Sequence, residues 1–256
     1  AVIKCGTFLM DDFSCSGPPT QVSFNAVSVP NNKSVRQTEN TKAWQKVKLT
    51  EIAGDISGKG GLALTYTADF DPQYDRKDQS KETDLDFLKK LCEDEGLSLK
   101  VTDTQLVIFS REKLEKLPSS GKIDLLSGDV LSWSSQMQNY DTASETTVEY
   151  NDPATGEKNT HTEKGKKKKA EGNKQKIKTR VKDKAQAERI AKAKQREQEA
   201  KAQTMNVTVI GKQSYRAGDN VDIVNFKAFD GKYFITRITH SLSPYTQQLE
   251  LSKNAD

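Results

Sequence analysis

Apolar and polar residues alternate through most of the last third of the chain. In TMNVTVIGKQSYRAGDNVDIVNFKAFDGKYFITRITHSLSPYTQQLELSK, the apolar phase is carried by Val207 and Val209, Val221 and Ile223, Phe234, Ile235 and Ile238, then Leu249 and Leu251. Ala217-Gly218-Asp219 and Asp230-Gly231-Lys232 separate the runs. Period-two segments joined by such turns predict antiparallel strands in a small sheet or barrel. Just before them, KDKAQAERIAKAKQREQEAKAQ, from Lys182 to Gln203, contains neither Gly nor Pro and consists almost wholly of strong helix formers. A long exposed helix is predicted there. Its small residues, Ala187, Ile190, Ala191 and Ala202, form too narrow a stripe for a coiled coil, so it is expected to pack along the barrel or against a neighbouring subunit.

At the other end, Val2 to Val29 reads as short strands broken at Ser16-Gly17-Pro18-Pro19, with Phe8, Met10, Val22, Phe24 and Ala26 on alternating faces. The pattern then becomes α/β. Leu49, Ile52, Ala53 and Ile56 fall at helical spacing, and Gly58-Lys59-Gly60-Gly61 stops that helix. A strand in LALTY follows, then an acidic loop from Ala68 to Gln79. A second helix is predicted from Ser80 to just before Gly96, burying Leu85, Leu88, Leu91 and Cys92. Two strands, Leu97 to Val101 and Gln105 to Phe109, complete the module, with Trp44 expected to cap its core. Beyond Pro118-Ser119-Ser120-Gly121, the segments around Val130, Leu131 and Trp133 and around Thr147 to Tyr150 are expected to join the late strands in one barrel. Thr160 to Lys176 has no periodicity and is expected to be a loop or mobile arm.

Composition changes this picture in one respect. Over 256 residues, 34% are hydrophobic and 30% charged, so much of the chain lies at the surface. The net charge of +4 hides an imbalance: Glu157 to Gln203 holds 17 Lys or Arg against 7 Asp or Glu, leaving about −6 for the rest. Cys5, Cys15 and Cys92 form no CxxC and are odd in number, which argues against a disulfide scaffold or zinc site and for a reducing compartment. No run approaches the ~20 apolar residues of a membrane span, and AVIKCGTFLMDD turns acidic too soon for a signal peptide. A soluble protein made in a cytoplasm is expected.

Candidate chemistry is sparse. His161 lies in a polar stretch and His240 in a strand pattern, neither beside a nucleophile, so no catalytic residue is assigned. The acidic run from Asp69 to Asp78 lacks the glycine and distal glutamate of an EF-hand and is interrupted by Pro72, so it reads as a solvated loop and no metal is assigned. The glycines near Lys59 lack phosphate-loop spacing and sit at the wrong end of a helix, and no cofactor is expected. The basic arm, with Lys166, Lys167, Lys168, Lys169, Arg180 and Arg189, could meet nucleic acid or an acidic subunit. Aromatic residues for base stacking are absent from Lys158 to Gln203, so nucleic acid is not the expected partner.

Several motifs in order carry a resemblance. AERIAKAKQRE, VTVIGKQSYRAGDNV, FDGKYFITRITHSLS and QQLEL, together with ETDLDFLKKLCEDEGLSLKVTDTQLVIF upstream and FLMDDFSCSGPPTQVSFNAVSV near the start, resemble the phage late control protein D family. Its members are baseplate hubs of contractile tails, similar in fold to the base of type VI secretion spikes. Asp84, Phe87 and Leu88 match the family's Asp-x-x-Phe-Leu helix, while the acidic loop before it is shorter than usual.

The resemblance implies an α+β fold with small antiparallel β-barrel domains, an α/β insertion module and a long basic helix. Residues 1–30 would be remnant strands of a first barrel whose other strands belong to an N-terminal domain outside the chain. Residues 31–118 would be the α/β module. Residues 119–256 would be a second barrel, including the basic loop and helix at about 158–203. The implied function is structural rather than enzymatic: a homotrimeric ring joining tail tube to spike in the virion baseplate of a contractile phage tail or tailocin, assembled in the host cytoplasm. Val207, Val209, Phe234, Ile235 and Ile238 are the expected subunit-interface residues. A nucleic-acid- or wall-binding module using the basic arm is the alternative, and a tail-associated wall hydrolase a third reading.

Overall fold

The computed structural model describes residues 7–28, 33–138, 143–151, 158–165, 173–179, 181, 183–211 and 215–254. The chain divides into two compact units, one of residues 1–93 with 97–110, the other of residues 94–96 with 111–256. Strands dominate and helices are fewer, an α+β composition.

The first unit opens with an antiparallel ribbon of β1 (Leu9–Ser16) and β2 (Gln21–Val27). Then come α1 (Lys33–Gln37), β3 (Glu39–Lys48), α2 (Leu49–Gly60), β4 (Ala63–Thr67), β5 (Gln73–Thr83), α3 (Asp84–Asp94), β6 (Ser98–Val101) and β7 (Gln105–Phe109). β3 pairs with β5, and β7 lies between β4, its parallel neighbour, and β6, its antiparallel one. Helix α2 forms where the spacing of Leu49, Ile52, Ala53 and Ile56 predicts it, and all four are buried. The Glu51 carboxylate accepts from the Lys48 backbone N–H at 2.7 Å, and Asp71 accepts from both the amide and the hydroxyl of Thr50. Gly61, at φ 65°, ends the helix, and Leu62 N–H reaches the Ser57 carbonyl at 2.9 Å. Trp44 lies in the same core as Phe87, Leu88, Leu91, Leu106 and Ile108.

Here two expectations need correction. The acidic segment is not wholly loop, because Gln73–Thr83 forms β5 along β3. Helix α3 consequently starts at Asp84 rather than Ser80, with Thr83 Oγ1 accepting from Asp86 N–H at 3.1 Å. Pairing with β3 outweighs the local preference of Ser80 for a helix cap, as tertiary context commonly does. The buried Asp84 is satisfied by Asn40, Gln79 and Lys59.

The second unit contains α4 (Arg111–Glu115), β8 (Ser119–Asp124), β9 (Val130–Met137), β10 (Glu145–Asn151), β11 (Lys158–Lys164), β12 (Lys174–Lys178), α5 (Lys184–Ala202), β13 (Gln203–Ile210), β14 (Asn220–Val224), β15 (Gly231–Leu242) and β16 (Tyr245–Lys253). Six strands form one sheet in the order β8-β14-β15-β16-β13-β9. All its pairings are antiparallel except β8 with β14. The two outermost strands, β8 and β9, are consecutive in the chain. A flat six-stranded sheet would set them about 24 Å apart. The short link between Asp124 and Val130 reaches at most about 20 Å, and less here because Leu125–Ser127 is a tight helical turn. The sheet must therefore curl. Trp133 of β9 accordingly meets Phe226, just past β14, edge to face at 5.3 Å. Met205, Val207, Val221, Ile223, Tyr233, Ile235, Leu249 and Leu251 fill the interior of the curl.

The other sheet has the order β11-β10-β12. Strand β10, expected in the barrel, instead pairs antiparallel with β11 and parallel with β12. Parts of the expected loop at 160–176 are therefore strand. Helix α5 covers one face of this small sheet, packing Ala187, Ile190 and Ala191 onto Val148 and Tyr150. The narrow alanine stripe suits this role, since small side chains allow close approach of sheet and helix.

Candidate assembly surfaces

The five residues expected at a subunit interface occupy a different place. Val207, Val209 and Ile235 lie in the core inside the curled sheet, Phe234 is also buried, and Ile238 is half-buried against that core. Their alternation reports burial within the chain's own sheet, which any half-buried strand shows. A side chain consumed by its own core has no surface to give a neighbour.

A continuous exposed apolar face lies on the β1–β2 ribbon, whereas Leu126, Leu131 and Leu242 are exposed elsewhere in the second unit. Phe13 faces Phe24 and Cys15 faces Val22 across the two strands. Asp11 is bulged out between Met10 and Asp12, so Met10 pairs with Ala26 and falls on the same face as Phe13. Without that extra residue, strict alternation would turn Met10 the other way. The opposite face is polar from Asp12 to Ser16 and Gln21 to Asn25, with an Asn25 to Asp12 hydrogen bond at 2.9 Å, and ends in the Leu9–Val27 pair. Phe13 is 71% exposed, and Met10, Val22 and Phe24 are each about two-thirds exposed. Covering four such side chains is worth on the order of 5 kcal/mol, so this face is shaped for contact.

Within the second unit, a buried ionic cluster fixes helix α5. Glu115 accepts from Arg111 at 2.7 Å and from Arg196 at 2.8 Å. Glu112 meets Lys116, Lys192 and Arg196 at 2.9 to 3.3 Å. Partial burial works to raise the Glu112 carboxyl, but the Lys116 and Lys192 ammoniums and the Arg196 guanidinium outweigh it and hold the group at about 2. Glu95 takes the Arg189 guanidinium and the Gln186 amide. Asn220, Lys232 and Asn254 donate to the last carbonyls of α4 and to Leu117. Of the basic arm, Arg189 is therefore held in an ion pair, whereas Lys166, Lys167, Lys168, Lys169 and Arg180 fall outside the described residues.

Catalytic chemistry finds little here. His240 Nδ1 lies 3.2 Å from the Tyr245 hydroxyl with the rings stacked, and His161 faces Glu163 at 3.8 Å. Asp71 is engaged on Thr50 and Asp78 on Arg76. Among the described residues, no group of three or more His, Cys, Asp or Glu could hold a metal ion, and no helix is long and apolar enough to cross a membrane. Cys92 is buried, its thiol pushed up to about 12 by desolvation with a smaller effect from Glu93, while Cys15 is exposed on the ribbon.

The family described as phage tail baseplate hub (GPD) matches residues 9–246. A tail protein from Neisseria meningitidis MC58 superposes with a TM-score of 0.72 at 14% identity, over 97% of this chain and 80% of that one. The 43 kDa tail protein of prophage MuSo2 from Shewanella oneidensis gives 0.74 at 16% identity, over 95% and 78%. The E. coli c3393 protein, a component of the type VI secretion system, gives 0.53 at 9% identity, over 92% and 61%. No curated protein matches the chain.

Proposed function

Because the chain belongs to the phage tail baseplate hub family, we propose that it is a structural component of a contractile tail or tailocin, joining tail tube to spike as part of a homotrimeric ring. The observation that carries this reading is the ribbon: an amphipathic pair of strands whose apolar face no described residue covers. Exposed apolar surface of this kind marks a face that further strands complete. In this reading residues 1–30 belong to a first barrel, whose remaining strands close over Met10, Phe13, Val22 and Phe24. The curled six-stranded sheet is the second barrel. Side-by-side barrels from three subunits would make a pseudo-sixfold ring that matches a sixfold tube to a threefold spike. The chemistry required is shape and strand pairing rather than catalysis, and the place of action is the virion tail, with assembly in the host cytoplasm.

In this reading Phe13 and Phe24 line the interior of the first barrel on which the ring depends, and subunit contacts fall elsewhere than on the buried Val207 or Ile235. Replacing Phe13 and Phe24 together with Ser tests this. Incorporation into purified tail particles should be lost and the solution mass of the assembled hub should drop, while the second unit keeps its melting transition. Normal incorporation of the double variant would overturn the assignment of the ribbon.

A further inference from the structure

The positive charge of the 157–203 segment is divided by the fold in a way composition hides. On α5, Arg189, Lys192, Lys194, Arg196 and Lys201 are all engaged with carboxylates. The lysines of β11 and β12 are placed differently. Helix α5 covers one face of the β11-β10-β12 sheet, and alternation sends Lys158, Lys164, Lys174, Lys176 and Lys178 to the other, where all five are exposed. The register sets Lys164 and Lys174 on either side of Glu145, and Lys178 beside Glu149. Among the described residues two carboxylates, Glu145 and Glu149, rise between them, meeting Lys174 at 2.9 Å and Lys176 at 4.0 Å. Thr147 and Thr162, their hydroxyls 2.9 Å apart, fill the centre.

We infer that this lysine and threonine face is a docking surface for the phosphate backbone of duplex DNA, bound without regard to sequence. Two columns of lysines about 10 Å apart present mobile ammoniums to a row of phosphates: Lys174, Lys176 and Lys178 follow one another about 6.6 Å apart on β12, and Lys158 and Lys164 stand about 20 Å apart on β11 with Thr160 and Thr162 between them. Lys and Thr are residue types that contact phosphate and position a duplex. The composition does not suit an acidic protein partner, whose interface would have an apolar or aromatic centre depleted in Lys. A lipid surface would need apolar side chains to insert, and the described residues of this face present none. Single-stranded nucleic acid would need aromatic platforms, also missing from this face. Hub assembly through the ribbon is separate, and either could fail without the other.

The test is fluorescence anisotropy of a labelled mixed-sequence duplex with the full chain, over about 50 to 200 mM salt. Binding should weaken linearly in a log–log plot with a slope between about −3 and −5. Replacing Lys158, Lys164 and Lys178 with Gln removes three cations without orphaning either glutamate. It should make the slope less negative by about 2.7 and weaken binding a few hundred-fold at about 0.1 M salt, with an unchanged thermal melt. Lys194→Gln with Lys201→Gln, on the helix, should leave the curve in place. Absence of salt-dependent binding, equal binding by the triple variant, an equal loss in the helix variant, or tighter binding to poly-glutamate than to duplex would each overturn the inference.

Discussion

Leu88 is fully buried on α3, packed in the core that includes Leu91 and Ile108, and its removal would leave a void rather than a wettable surface. Leu88→Ala should destabilise the protein by roughly 2–5 kcal/mol, read from chemical denaturation of the first unit. Leu88 was legible in the sequence because helical spacing leaves few alternatives for it. Glu112 was not, since nothing in REKLEK marks one glutamate as the meeting point of Lys116 with Lys192 and Arg196 of α5. Its carboxyl titrates at about 2 in the folded chain against 4.5 ordinarily. A depressed carboxyl contributes stability that is fully present above about 4.5 and lost as pH falls towards 2. Asp124 acts in the same direction, held at about 2 by the Asn225 amide, the Leu126 N–H and Lys122. The parent should therefore lose melting temperature steeply between pH 5 and 2, and Glu112→Gln should flatten that fall. A variant as steep as the parent would show that Glu112 does not link protonation to folding.

Elements were read from the sequence where one signal dominated. Helix α5 came from composition, and its N-terminus is fixed as expected of a helix start, Asp183 accepting from Gln186 N–H at 2.8 Å. What α5 packs against was not legible, because Ala187, Ile190 and Ala191 would suit a barrel, a neighbour or a small sheet equally. β5, β11 and β12 were missed for a related reason. Rich in charged and polar residues, they have little apolar alternation of their own and become strands by pairing with β3 and β10. What joins α4 to α5 is likewise tertiary: Glu115 is 4% exposed and Arg196 13% at the side chain. Glu115→Gln strips the charge from a buried partner of two arginines and should cost roughly 3–5 kcal/mol. Replacing Glu115 and Arg196 together with Leu and Met should recover most of the loss in the same thermal denaturation assay. Failure of that rescue would mean that Arg111 or the backbone caps carry the junction instead.

At the scale of the whole molecule, the ordered string of motifs was the most legible signal, and the family match over residues 9–246 agrees with it. Which apolar residues face outward was not legible, because core and contact surfaces use the same alternation; the uncovered ribbon shows the difference in the structure. The curled sheet has a further consequence for how the chain is made. Its edge strands β8 and β9 emerge early, yet β8 must wait for Asn220–Val224 and β9 for Gln203–Ile210. Strand β16, between β15 and β13, comes last of all. Such long-range closure folds slowly, so β9 stays without its sheet partner until Ile210 has been added and β8 until Val224, and Tyr245–Lys253 is the piece that then locks the two halves together.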